Sequence, residues 1–380
     1  MPGIYFHIPF CKQACHYCNF HFSTSLRQKD SLMEALLREM ELRRDYIGDA
    51  TVQTLYLGGG TPSLLEAAEL DRLFERIYRL YRVAPDAEVT LEANPDDLTP
   101  SKIAALRQTP VNRLSIGIQS FHDADLQFMN RAHNSGEARH CIENALKAGF
   151  YDLSLDLIYG TPGMSDAQWA ANIESVLEYD VPHLSCYCLT VEPQTALDHF
   201  VKKGKASPVD EAQAARQLEY LMQRAETAGY EHYEISNFAK PGRYSRHNTS
   251  YWTGEAYLGI GPSAHSFNGA SRQWNVANNS RYIKALESET PDWASLVETE
   301  ILTPEQRYNE YVMTSLRTQW GCKLPQIREI GQRFEAYFLE EAALFLEAGT
   351  LQRREDTFYL TRQGKFVADY VASELFFVAS

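Results

Sequence analysis

Short β-rich runs alternate with helical patterns from residue 3 to about residue 190, and this alternation constrains the fold more than any other feature. Between the runs, apolar residues recur at helical spacing, as at Leu32, Leu36 and Met40. Strands that alternate with helices form a parallel α/β sheet, and six such units favour a partial barrel, with an open doubly wound sheet as the alternative. The predicted strands are Ile4–Ile8, Val52–Leu57, Glu88–Ala93, Asn112–Ile118, Leu153–Ile158 and His183–Thr190.

The rest of the chain divides into a helix, a connecting segment and a second domain. A helix predicted over residues 209–228 closes the first domain, which we place at residues 1–229. Residues 230–300 are rich in Gly, Asn, Ser and Tyr and have little periodicity, so we expect a cap or connecting layer there. We place a C-terminal domain at residues 301–380.

The start of the C-terminal domain is marked by the sequence Thr303-Pro304-Glu305-Gln306, which has an N-cap residue, a proline at the first helical position and a glutamine two residues later. The expected order is three helices, a short hairpin through Glu355-Asp356, and a last helix from about Gln363. This order predicts a winged-helix-like α+β domain.

Charge and hydropathy limit the partners and the compartment. Lys and Arg number 36 against 50 Asp and Glu, a net charge of −14, which repels nucleic acid phosphates. The N-terminus lacks the pattern of a signal peptide, and no run reaches the ~18 apolar residues of a membrane span. We therefore expect a cytoplasmic protein that binds no nucleic acid and has at most a peripheral association with membranes.

Three cysteines directly after the first strand, Cys11-x3-Cys15-x2-Cys18, form the strongest chemical motif. Three thiolates can hold three irons of a [4Fe–4S] cluster and leave the fourth iron open to a small molecule. Zinc is an alternative, because His16 or His21 could complete a set of four ligands. A redox pair formed by Cys15 and Cys18 is a third interpretation.

The cysteine motif, with Tyr17 as the aromatic residue before Cys18, resembles that of the radical S-adenosylmethionine superfamily. The run from Tyr5 to Cys11 is similar to the branch that contains oxygen-independent coproporphyrinogen III oxidase and a heme chaperone. The resemblance covers almost the whole chain. It implies a partial (β/α)6 barrel in which the open iron of the cluster is chelated by S-adenosylmethionine, and a matching C-terminal domain.

The resemblance also implies which residues contact the cofactor. Glycines in Gly58-Gly59-Gly60-Thr61 let the backbone approach a ligand, and free N–H groups there can bind a carboxylate. The run resembles a cofactor-binding motif of the superfamily. By the same resemblance Glu92 accepts from the cofactor's amine, and Gln119, Arg131 and Asp156 correspond to a second cofactor site. The full implied set is Tyr5, Tyr17, Gly59, Gly60, Thr61, Glu92, Gln119, Arg131 and Asp156.

Two departures separate the chain from the oxidase. The oxidase has a further cysteine two places after its motif, where this chain has Phe20. The oxidase also has an N-terminal extension over its active site, whereas here the first strand begins at residue 3 or 4. Both departures are typical of the heme chaperone.

The sequence from His247 to Trp252 matches an HNxxYW motif associated with the chaperones. Imidazole is a common axial ligand of heme iron, so His247, with Tyr251 and Trp252 as an aromatic surface, is a candidate heme site. The alternative is a hydrogen-bonded pair of His247 and Asn248 in a loop, with Tyr251 and Trp252 packed below it. His265, in a segment that approaches the cofactor in the family, is a second candidate.

The resemblance therefore implies a chain that binds a [4Fe–4S] cluster, S-adenosylmethionine and heme, and that transfers heme to acceptor proteins. An electron donor is a further expected partner if the cofactor is cleaved to a radical. The alternative function is oxidative decarboxylation of coproporphyrinogen III.

Overall fold

The computed structural model describes residues 2–378; Met1, Ala379 and Ser380, which the predicted domains include, lie outside this part. Six parallel strands lie side by side in the order in which they occur in the chain. A doubly wound sheet would reverse its strand order, so the partial barrel is confirmed and the alternative is wrong. The strands are β1 (Gly3–Ile8), β2 (Val52–Gly59), β3 (Val83–Ala93), β4 (Arg113–Gln119), β5 (Asp152–Tyr159) and β6 (His183–Cys188).

Helices cover the outer face of this sheet and bury its apolar side chains. Leu36 and Leu73 belong to the same buried core as Ile4, Phe6 and other outward-facing strand residues. Three short 3-10 helices occupy Leu26–Gln28, Pro62–Leu64 and Pro95–Asp97. The α-helices are α1 (Lys29–Leu42), α2 (Ala67–Leu80), α3 (Pro100–Leu106), α4 (Asp123–Phe128), α5 (Ser135–Lys147), α6 (Asp166–Glu178), α7 (Ala196–Lys202) and α8 (Glu211–Thr227).

The segment after α8 extends the sheet at both ends, which differs from the predicted cap layer. Two strands, β7 and β8, follow β6, and four others, β9 to β12, continue the sheet beyond β1. These strands are short, and most of them mix polar and apolar residues, so their periodicity is weak. The elements are β7 (Glu231–Glu234), β8 (Asn237–Ala239), α9 (Arg246–Trp252), β9 (Tyr257–Ile260), β10 (His265–Phe267), β11 (Ser271–Asn275), α10 (Asn279–Glu287), α11 (Trp293–Leu296) and β12 (Val297–Ile301).

The C-terminal domain has its own core, centred on Tyr308, Phe334, Phe338 and Phe358. Its order of elements confirms the winged-helix-like prediction, and Thr303 and Gln306 form the capping box at its first helix. The exact domain boundaries stay predictions. The elements are α12 (Pro304–Leu316), β13 (Cys322–Lys323), α13 (Leu324–Ile330), α14 (Gln332–Glu347), β14 (Leu351–Arg354), β15 (Thr357–Leu360), α15 (Arg362–Lys365) and α16 (Ala368–Glu374).

Within residues 2–378, no helix combines the length and the hydropathy that a membrane crossing requires.

Candidate functional site

The inner face of the partial barrel is polar because successive residues of a strand point to opposite faces. In β1, Ile4 and Phe6 pack in the core, whereas Tyr5 and His7 line a cavity inside the barrel. Glu92, on the inner face of β3, reaches the same cavity near the carboxyl ends of the strands. Barrel enzymes place their active sites at this end.

The loop that carries Cys11, Cys15 and Cys18 is tied to the glycine turn after β2. The N–H of Gly60 donates to the carbonyl of Ile8 at 3.0 Å, and the N–H of Thr61 donates to the carbonyl of Phe10 at 2.7 Å. A Cβ atom on Gly60 would lie 2.7 Å from backbone atoms of Ile8 and Phe10. Only glycine therefore allows the two segments to approach this closely.

The hydrogen bonds of the turn correct one expectation about it. The N–H of Gly59 donates to Glu92 Oε2 at 3.0 Å. The N–H groups of Gly60 and Thr61 donate to the carbonyl oxygens of the cysteine loop and the end of β1. The N–H groups that sequence reasoning offered to a carboxylate are thus satisfied within the protein. Gly59 still lines the cavity, where a ligand can contact its backbone.

The three thiols lie near one another at the end of β1. Burial raises the pKa of Cys11 to about 11, a hydrogen bond with Thr61 opposes that rise, and the neighbouring Cys18 and Cys15 add to it. In the described part of the chain, no group of three or more His, Cys, Asp or Glu side chains is arranged to hold a metal ion. A four-iron cluster takes its ligands on separate irons, whereas zinc takes four ligands on one ion.

The two histidines considered as further zinc ligands have other partners. His16 Nδ1 lies 2.8 Å from the carbonyl oxygen of Phe128, and His21 Nε2 lies 2.7 Å from Asn279 Oδ1. These contacts favour a structural role for both imidazoles.

Arg131 joins the cysteine loop to two strands. Its Nη1 donates to Cys15 Sγ at 3.3 Å and to the Tyr17 hydroxyl at 3.4 Å. Its Nη2 donates to Asn94 Oδ1 at 2.6 Å and to the carbonyl of Gly117 at 2.9 Å. The buried Nε atom has no partner, so one N–H remains for a ligand.

Glu92 is the carboxylate nearest to the glycine turn. Its Oε1 accepts from the Tyr56 hydroxyl at 2.8 Å, and its Oε2 accepts from Gly59. Burial raises the pKa of Glu92 to about 7; these two hydrogen bonds lower it, and the nearby Asp156 raises it. A carboxylate with this pKa gains or loses a proton near neutral pH, and in its ionised form it can pair with a cationic amine.

Gln119 and Asp156 extend the polar surface along β4 and β5. Gln119 has a φ of 65°, and its buried Oε1 atom has no hydrogen-bond partner. Asp156 accepts hydrogen bonds from Ser115 and Ser154, and burial raises its pKa to about 6. An unpartnered buried acceptor costs free energy, so the Gln119 amide fits contact with a bound molecule.

A cavity of about 500 Å³ extends from Glu92 and Gly59 to residues of β9 and α9. Aromatic side chains form much of its wall, which suits a flat apolar ligand. The lining residues are Tyr5, His7, Phe20, Tyr56, Gly59, Glu92, Tyr187, His247, Asn248, Tyr251, Tyr257, Ser263 and His265.

His247 is held on both sides of its ring. Nδ1 lies 2.7 Å from Thr54 Oγ1, and Nε2 lies 2.8 Å from the Tyr251 hydroxyl. The side chain is fully buried, and its burial lowers its pKa to about 3. The geometry agrees with a structural role for this histidine. Its partners are Thr54 and Tyr251 rather than Asn248, and it lies in helix α9 rather than in a loop.

The other candidate residues for heme are separated. Trp252 points toward the C-terminal domain, where the guanidinium of Arg317 lies over its ring at 5.4 Å, so it does not share a surface with Tyr251 in the cavity. His265 is exposed and lies at the cavity, with its ring 6.1 Å from that of Trp274. Among the described residues, none forms a hydrogen bond with the ring nitrogens of His265, whereas both ring nitrogens of His7 are bonded.

Sequence reasoning did not select Tyr56, Asn94 or Tyr187 as site residues. The alternation of inner and outer residues along β2 and β6 is the signal that could have identified Tyr56 and Tyr187. Asn94 occurs just after β3, but its bond with Arg131 depends on a loop distant in sequence.

Comparison with known proteins gives a family for this arrangement. Residues 5–176 match the model of the radical SAM superfamily, and residues 302–367 match the model of the HemN C-terminal domain. The chain is 34% identical to the heme chaperone HemW of Bacillus subtilis over 98% of both chains. It is 36% identical to the heme chaperone HemW of Mycobacterium tuberculosis, over 98% of this chain and 94% of the relative.

The fold is also that of a solved structure, the coproporphyrinogen III oxidase HemN of Escherichia coli. The TM-score is 0.85, with 99% of this chain and 90% of the other covered. At 23% sequence identity, this likeness establishes the shared fold alone.

Proposed function

Because the chain belongs to the HemW family of the radical SAM superfamily, we propose that it is a heme chaperone that binds heme in the barrel cavity and passes it to acceptor proteins. The observation that carries the proposal is the match to HemW proteins over nearly the whole length of both chains. The aromatic cavity beside the cysteine loop supports it.

The cluster and the cofactor have matching groups in this chain. We assign the [4Fe–4S] cluster to Cys11, Cys15 and Cys18. For S-adenosylmethionine, Glu92 offers a carboxylate to the amine, and the unpartnered atoms of Gln119 and Arg131 offer an acceptor and a donor. Tyr5, Tyr17, Gly59, Gly60, Thr61 and Asp156 complete the proposed site. When bound, the cluster supplies one-electron chemistry and the cofactor covers its open iron.

For the heme iron, the free imidazole among the cavity-lining histidines is that of His265, because His7 and His247 are hydrogen-bonded at both ring nitrogens. Burial and the nearby Arg272 lower the pKa of His265, which keeps the ring neutral and able to bind iron. His247 would have to give up a hydrogen bond to do the same. We therefore propose His265 as the axial ligand, with Tyr251 as part of the cavity wall and Trp252 outside it.

The oxidase function is the second candidate, and one position in the cavity disfavours it. Phe20 stands where the oxidase has its additional cysteine, and this phenylalanine is 68% exposed and lines the cavity.

Free cysteines are typical of a reducing compartment, so we propose that the chain works in the cytoplasm.

The experiment is a heme titration of the anaerobically reconstituted protein, with a parallel assay for conversion of coproporphyrinogen III. We expect a Soret band that shifts or weakens in His265→Ala and is unchanged in His140→Ala, a control at an exposed histidine of α5. Conversion to protoporphyrinogen by the wild-type protein would overturn the chaperone function. An unchanged Soret band in His265→Ala would overturn only the assignment of the ligand.

A further inference from the structure

We propose that the free edge of β12 is the docking site for an extended, basic segment of the heme acceptor. The proposal rests on the proposed function for the identity of the partner. It concerns a surface that neither the cluster nor the cofactor uses.

Among residues 2–378, β12 pairs with β11 alone, so its other edge has open backbone groups. Hydrogen bonds from Val276 N–H to Leu296 O and from Leu302 N–H to Ala270 O flank the ladder. Bonded pairs alternate along an antiparallel ladder, so the N–H and C=O groups of Val297, Thr299 and Ile301 face outward. We call these three residues the docking edge.

The register connects the docking edge to the cavity. His265 lies directly opposite Trp274, and Trp274 lies directly opposite Glu298. Directly opposed residues share a face of the sheet, and neighbouring strands lie about 4.8 Å apart. A segment added to the edge would therefore lie roughly 14 Å from His265, on the far side of Trp274.

A second cavity, of about 440 Å³, opens beside the edge on the outer face of the sheet. Val297 and Thr299 line it together with Tyr46 and Trp293. The buried hydroxyl of Tyr46 has no hydrogen-bond partner. A strand that pairs with β12 places alternate side chains on this face, so the cavity can take one of them.

Charge determines the kind of segment that fits. Glu298 and Glu300 lie on the strand itself, and Asp45 lines the second cavity. The Arg43 guanidinium of the same cavity is buried and bonded to Glu39 and to the carbonyl of Gly259. Two other arginines are also paired: Arg44 lies 3.5 Å from Asp45, and Arg272, opposite Glu300, pairs with Glu310. Glu298 and Glu300 form no ion pair among the described residues, so they favour lysine or arginine side chains on the partner.

The same charges argue against a second copy of this chain as the occupant. In an antiparallel pair of two β12 strands centred on Thr299, Glu298 of each copy would lie opposite Glu300 of the other. Shifting the register by two residues brings Glu298 opposite Glu298, or Glu300 opposite Glu300. Like charges directly opposite each other destabilise a sheet, so self-pairing is disfavoured.

The test measures binding of a short synthetic peptide of alternating lysine and valine to the full-length protein without heme. Thr299→Pro removes an outward N–H and keeps the bonds to β11, a position where an edge strand tolerates proline. Glu298→Lys reverses one charge, and Glu340→Lys makes the same change on an exposed site of α14. We expect the first two variants to weaken binding at least about tenfold and the third to leave it unchanged.

A second measurement adds heme to the complex. A fluorophore is attached to the peptide, and the peptide is bound to the wild-type protein. Heme in the cavity should quench this fluorophore, because the docking edge lies close to His265. Peptide binding is read without heme, so a failure of heme binding and a failure of docking are distinguished. Absence of peptide binding, an equal loss in Glu340→Lys, or a dimer that Thr299→Pro dissociates would overturn the proposal.

Discussion

The Tyr56 hydroxyl donates a hydrogen bond to Glu92 Oε1 at 2.8 Å on the cavity side of the barrel. This bond stabilises the ionised carboxylate, and so does the N–H of Gly59, but burial outweighs both and raises the pKa of Glu92 to about 7. The group that we assign to the cofactor's amine therefore changes charge within the range of physiological pH.

Binding of S-adenosylmethionine should strengthen as the pH rises through about 7, since the ionised Glu92 attracts the cationic amine. Glu92→Gln should weaken binding by one charge-assisted contact, about 1.5–3 kcal/mol, or roughly ten- to a hundredfold, and flatten the pH dependence. Calorimetric titration at several pH values measures both effects. Glu75→Gln, an exposed site on α2, is the control, and equal affinities of the Glu92 and Glu75 variants would remove Glu92 from the site.

The free energy of unfolding of the protein without ligand should also depend on the protonation of Glu92, but it should fall as the pH rises. Because the folded-state pKa of Glu92 is raised from 4.5 to about 7, its contribution is fully present below pH 4.5 and is lost as the pH rises through 7. Glu92→Gln removes this loss, so relative to wild type it should gain roughly 2–3 kcal/mol between pH 5 and pH 8. Denaturant unfolding at the two pH values measures the difference, and a pH-independent difference would contradict a buried carboxylate.

Gly60→Ala should lose iron although Gly60 carries no ligand atom. Its added methyl group would lie 2.7 Å from backbone atoms of Ile8 and Phe10, which displaces the cysteine loop. Iron and labile sulfide are measured after anaerobic reconstitution. Gly149→Ala, whose methyl group meets nothing within 4 Å but whose φ of +88° strains an alanine, controls for general destabilisation. Equal iron content in the two variants would show that the close approach does not position the loop.

The cluster assignment predicts a clear difference between two cysteines. Cys15→Ser removes one of three ligands and leaves a second iron without protein support, so most of the iron should be lost. Cys188→Ser, outside the motif, should retain about four irons per chain. Stoichiometric zinc without labile sulfide in anaerobically prepared protein would contradict the assignment.

The barrel strands were predictable because each has apolar residues on its core-facing side and lies between helices with clear periodicity. β1, expected at Ile4–Ile8, begins one residue earlier, and α8, expected at 209–228, occupies Glu211–Thr227. The strands β9 to β12 were not predictable from the sequence, because each strand is short and only part of its side chains are buried. For such strands the pairing partner, rather than the local sequence, determines the structure.

The cluster ligands were predictable for a different reason, since the three cysteines are local in sequence. The partners of Arg131 were not predictable, and neither was Thr54 as a partner of His247. Arg131 contacts residues that are 14 to 116 positions away, and His247 is 193 positions from Thr54. No periodicity or motif gives a contact of this kind, so the HNxxYW motif indicated a site without indicating which of its side chains face the cavity.

His247 should matter for stability more than for the heme spectrum. Replacing it by alanine removes the bonds to Thr54 and Tyr251, breaks its stacking with Tyr56, whose ring lies 4.9 Å away, and leaves a cavity. We expect His247→Ala to cost about 2–4 kcal/mol of unfolding free energy, whereas Tyr251→Phe, which removes one hydrogen bond alone, should cost about 1 kcal/mol. Denaturant unfolding gives both values, and heme titration of the same preparations gives the Soret band, which should keep its position in the folded His247→Ala protein. A displaced band in a variant of unchanged stability would show that this imidazole binds the iron, and that heme entry exchanges the bond to Tyr251 for one to the metal.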